Sequence, residues 1–231
     1  MIQTPQERRI WQRCFWAGAA TLILGAVVIA IYPSEGGDYP IGYGDPVIAF
    51  EFSQSASDVK SAIGFGDTGW QERAAAMKNG TYGDFLFIIA FTVFMVSFFH
   101  AAKVQSGLAF YKFLAATALI AGLADITENI LALRILSNVE ISSGVKWMHY
   151  FVKTKFMALG LVGLGAAIFL LRQPRFLRKV EGVFAGLGGA AVLFALTRPE
   201  QMGDLLGLGV TISWIAMLAY AATQAFKKVT P

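Results

Sequence analysis

FLAATALIAGLADITENILAL, residues 113–133, is the stretch on which the fold turns. At about 1.5 Å per residue its length matches the roughly 30 Å hydrocarbon core of a bilayer. Yet its second half carries Asp125, Glu128 and Asn129. A charged side chain at such depth costs at least about 2.5–3.5 kcal/mol unless it is paired or wetted. The three polar residues fall at i, i+3 and i+4 and so share one side of a helix. That side continues through Gly122, Ala121 and Ala118, small residues that let another helix come close. The stretch therefore reads as a span whose polar side faces protein.

The rest of the chain agrees. Of its 231 residues 56% are hydrophobic and 15% charged, against roughly 45–50% and about 25% in soluble domains. Apolar runs also lie at 13–32, 84–101, 148–171, 180–197 and 205–225. Together they predict an all-α membrane protein, a six-transmembrane-helix bundle. The first run follows Arg8, Arg9 and Arg13 like a secretory signal. Its apolar core of about 18 residues exceeds the 7–15 of a signal peptide, and no small-x-small site follows, so it reads as a retained anchor. Thr4, Pro5 and Glu7 spell a capping box with proline at the first helical position. The single cysteine, Cys14, rules out an internal disulfide and reads as a small buried side chain, with palmitoylation as the alternative.

Basic residues set the expected orientation. Arg8, Arg9 and Arg13, then Lys103 and Lys112, then RQPRFLRK (172–179), then Lys227 and Lys228 all fall on one side. The other side has the long 33–81 segment, with seven acidic and three basic residues. Its short connections are balanced: Arg134, Lys146 and Arg198 against Glu140, Glu200 and Asp204. Both termini are thus expected in the cytoplasm, in a bacterial inner membrane. The basic residues are dispersed along this topology, which excludes a nucleic-acid surface and leaves membrane lipids, or other membrane subunits, as the expected partners.

The 33–81 segment reads as a small extracytoplasmic cap. VIAFEF (47–52) alternates weakly and predicts a short strand. Ser55 with Asp58 predicts a helix start, as does Thr68 with Gln71 before QERAAAMK (71–78), which Asn79-Gly80 should stop.

Three spans then bring polar groups to one level: Asp84; Asp125, Glu128 and Asn129; His149 and Lys153. Lys153 and Lys155 lie about 200° apart on their helix, so only one can meet the acids, and Lys153, which shares a face with His149, is the expected partner. The set predicts an outward-facing polar pocket, or a salt-bridge knot that fixes helix register. The pocket would take a lipid headgroup or small ligand. An enzyme acting on an outer-leaflet lipid, with Glu128 or Asp125 as base and Lys153 holding an anionic group, is the alternative. An ion-coupled carrier is a third reading. Two histidines without an HExxH pair, beside a lysine, argue against a metal; no cofactor is indicated. The glycines of GLVGLG (160–165) and GVFAGLGG (182–189) predict close helix contacts, and Trp11, Trp16, Trp147 and Tyr150 predict interfacial belts.

IAFEFSQSASDVKSAI (48–63), YGDFLFIIAFTVF (82–94) and LADITENILAL (123–133) together resemble a pattern in uncharacterised bacterial multi-pass membrane proteins. In it a Phe-Glu cap strand precedes a short helix, an Asp opens a span, and an Asp-x-x-Glu-Asn helix follows. The resemblance covers residues 48–133 and implies no activity. It singles out Glu51, Asp84, Asp125, Glu128 and Asn129.

Overall fold

A computed structural model describes residues 4–138 and 142–227, and the described residues form helices without a strand. In chain order these are α1 (Pro5–Ile31), a 3-10 turn (Ile41–Tyr43), α2 (Pro46–Glu51), α3 (Ala56–Ile63), α4 (Trp70–Ser106), α5 (Phe110–Ser137), α6 (Ser142–Leu171), α7 (Phe176–Ala195) and α8 (Pro199–Ala225). Glu140 and Lys228, counted above for orientation, lie outside the described residues.

The six long helices close into a ring. Each packs on its chain neighbour, α1 on α4, α4 on α5, α5 on α6, α6 on α7 and α7 on α8, and α8 returns to α1. Arg8 Nε and Gln12 Nε2 donate to the Ala225 carbonyl at 3.2 and 3.4 Å, so the start of α1 and the end of α8 meet at one end of the ring. The helices within α1, α4, α6 and α8 are long and apolar enough to cross a membrane. This is the architecture of an all-α membrane protein.

Local chemistry accounts for the helix starts. Thr4 and Glu7 form the expected capping box on α1, and Ser55 and Asp58 form one on α3. The expected strand at 47–52 is instead α2. Asp45 Oδ1 accepts the Val47 amide at 2.6 Å and Pro46 occupies the first helical position, an N-cap and proline start that outweighs the β-forming residues after it. The expected separate helix at 71–78 is also corrected. Gly69 precedes α4 without a side-chain cap, and α4 runs through Asn79-Gly80 for 37 residues. Gly80 serves close approach: a β-carbon there would collide with the Tyr32 ring.

Packing distinguishes the ring's two ends and its middle. At the end where the termini meet, Trp11, Phe98, Tyr111, Phe169 and Tyr220, from five different helices, stack edge to face around the axis. Trp11 is 1% exposed, so it is core and not interfacial belt, while Trp16 is exposed. Cys14 is fully buried among these helices, which closes it to palmitoylation. In the middle the α6–α7 seam is backbone against backbone: a β-carbon on Gly189 would lie 2.7 Å from the Gly160 carbonyl oxygen and the Leu164 nitrogen. At the other end α2 lies against α6 and α8, and α3 against α4. Phe50, Phe52, Val59, Ala62 and Ile63 are buried there, which makes the cap part of the core.

Candidate functional site

The polar face of α5 points inward. Ala118, Ala121, Gly122, Ala124, Asp125, Glu128, Asn129 and Ala132 are all buried, and Gly122 lets α5 approach α4 so closely that a β-carbon would collide with Thr92. Asp125 and Glu128 thereby leave the ring's outer surface and reach α6.

Lys155 meets them there, not Lys153. Its Nζ lies 2.8 Å from Glu128 Oε2, 3.2 Å from Asp125 Oδ1 and 3.2 Å from Glu51 Oε2. Helix rotation decides between the two lysines. Val145, Met148, Val152, Leu159, Val162 and Ala166 are buried along one stripe of α6, and Lys155 falls on it. Lys153, about 160° round, is half-buried off that stripe. The stripe, written in steps of three and four from 145 to 166, was the signal that could have selected Lys155.

Glu51 is the last residue of α2, so the centre ties the cap to two long helices. Its side chain is 14% exposed, against 7% for Asp125 and 2% for Glu128, so the approach to the ammonium is from the cap side. Lys155 also stands 4.9 Å from the centre of the Phe156 ring.

Two other expected members stand beside this centre. Asn129 Nδ2 donates to Asp84 Oδ2 at 2.8 Å, which joins α5 to α4 next to the ion cluster. Asp84 stays within electrostatic reach of Lys155 and Glu51. His149 Nδ1 is 3.2 Å from the Phe52 carbonyl oxygen, and its ring meets Phe52 edge to face, so it fastens the cap and does not touch the acids. Thus Asp125, Glu128 and Glu51 converge, Asp84 and Asn129 adjoin, and His149 and Lys153 lie apart.

The electrostatics are unbalanced. Glu51, Asp125 and Glu128 place three carboxyl groups around one ammonium. Charges removed from water this far are costly unless each finds a counter-charge or donor. Among the described residues no group of His, Cys, Asp and Glu has the arrangement of a metal site. Compared with known proteins, no family, no curated protein and no solved structure matches this chain.

Proposed function

We propose that the chain is a six-span integral membrane protein, with both termini cytoplasmic, which binds a lipid headgroup or small ligand bearing an amine at the Lys155 centre. Two features support six spans: α5 packs between α4 and α6, and α7 between α6 and α8, inside the same closed ring as the four helices long and apolar enough to cross a membrane. The cytoplasmic assignment draws on the basic arm, loops and tail around the end where the termini meet. The cap end then faces outward.

The single observation that carries the ligand class is the surplus of carboxyl groups over ammonium. A second cation shared among Glu51, Asp125 and Glu128 would lower the cost of keeping them in a low-dielectric site. A zwitterionic aminophospholipid suits this best, its amine taken by the acids. Glu51, the most accessible of the three, is the first group such a ligand meets.

The test is native mass spectrometry of the purified protein titrated with phosphatidylethanolamine and, separately, with phosphatidylglycerol. Wild type is expected to retain the amine lipid preferentially. Asp125→Asn with Glu128→Gln should lose that preference while eluting as a folded, monodisperse protein. Equal retention of phosphatidylethanolamine by wild type and variant would sink the reading and leave the ion cluster as a register lock.

A further inference from the structure

A second polar region lies far from the first. From Lys155 to Leu171 α6 climbs about 24 Å, and there the chain turns into RQPRFLRK (172–179). A cavity of about 420 Å³ opens at this end of the ring, within the roughly 300–1,000 Å³ typical of small-ligand sites. Arg172, Arg175, Arg178 and Lys227 line it, against one lining acid, Glu7. Glu7 is already engaged at the α1 cap, where its Oε2 accepts the Thr4 amide at 2.8 Å.

Arg178 is the built part of the site. It is 5% exposed, a burial that guanidinium groups accept only when paired. Its Nη1 donates to both Glu181 oxygens at 2.6 and 2.8 Å, and its Cζ lies 5.1 Å from the Tyr220 ring centre. One nitrogen therefore serves Glu181, while the fork carries five N–H donors in all. Tyr220 is itself held: Gln105 bridges its hydroxyl at 2.8 Å and Gln173 at 3.2 Å. Trp11 supplies an apolar wall. Helix α7 begins beside the cavity at Phe176, and its N-cap residue Arg175 makes no side-chain cap, so the first-turn amides add to the positive potential.

The geometry points to an anion site for a phosphate group, held by the remaining donors of Arg178 with Arg172 and Arg175 at the rim. An anionic lipid headgroup and a soluble phosphate share this chemistry. Charge, donor geometry and an aromatic wall occur together here, and the Lys155 centre offers the opposite sign.

The experiment uses the whole protein in detergent micelles and an Arg172→Gln/Arg175→Gln variant. Both replaced side chains are exposed, so little packing is lost with them. Native mass spectrometry follows binding of phosphatidylglycerol, with phosphatidylcholine as the neutral control and inorganic phosphate as competitor. The expected result is preferential phosphatidylglycerol binding, weakened about fivefold for each arginine removed. If millimolar inorganic phosphate leaves the lipid in place, the headgroup is the ligand; if it displaces the lipid, a soluble phosphate shares the site. Equal phosphatidylglycerol affinity in wild type and variant, with no effect of phosphate, would overturn the assignment. Asp125→Asn with Glu128→Gln should leave this binding unchanged, so the two sites succeed or fail separately.

Discussion

The two ends of the ring handle buried charge in opposite ways. At the cap end one ammonium on α6, 6% exposed, is enclosed by three carboxylates from α2 and α5. At the other end one guanidinium, just as buried, has a single carboxylate three residues away on its own helix and borders a 420 Å³ cavity. The first arrangement joins elements distant in sequence and has spare acid. The second is local and has spare base. A charge cluster that links helices fixes their register; one that sits within a single helix leaves its donors for something else. The pairing partners, more than the degree of burial, separate a structural tie from an open site.

Several substitutions sharpen that contrast. The largest effect is expected for Lys155→Met, which leaves three carboxylates facing one another. Removing one partner of a buried ion cluster costs about 3–5 kcal/mol, read as a fall in the denaturant midpoint of the detergent-solubilised protein. A change below about 1 kcal/mol, the range of exposed pairs, would show that the cap end is as open as the other. Arg178→Met should cost less, about 1–3 kcal/mol, because Glu181 is left beside a cavity into which water can follow. If it matched Lys155→Met, the distinction between the ends would collapse.

Glu51→Gln keeps an oxygen acceptor and both α5 carboxylates, so a loss of about 1 kcal/mol is expected. Its more telling readout is faster amide exchange in α2 and α3 with α5 unaffected, since this residue is the cap's ionic tie. Lys153→Gln should shift stability by no more than about 0.5 kcal/mol. An effect as large as that of Lys155→Met would mean that the two lysines share the acids.

Much of this was legible beforehand, and particular residues show why. Asp125, Glu128, Asn129, Gly122, Ala121 and Ala118 share one side of α5 through helical spacing alone, and that side is the one buried. Thr4 with Glu7 and Ser55 with Asp58 cap their helices through contacts three residues apart. Errors arose where two local signals competed or a distant ring intervened. At 47–52 the β-forming residues masked the Asp45-Pro46 start. At Asn79-Gly80 the helix continues because Tyr32, 48 positions before Gly80, packs over the glycine. Trp11 resembled a belt residue until Phe98, Phe169 and Tyr220 surrounded it.

The sequence by itself determined the all-α membrane character, the six long apolar runs and the inward side of α5. All of these follow from hydropathy and from a period of 3.6 residues, properties that each segment carries alone. Only the tertiary structure decided that α8 closes on α1, that Lys155 meets the acids, that Glu51 reaches them from the cap, and that a cavity opens beside Arg178. Each of these depends on how far one helix is rotated against another, and that angle is set jointly by all the side chains between them.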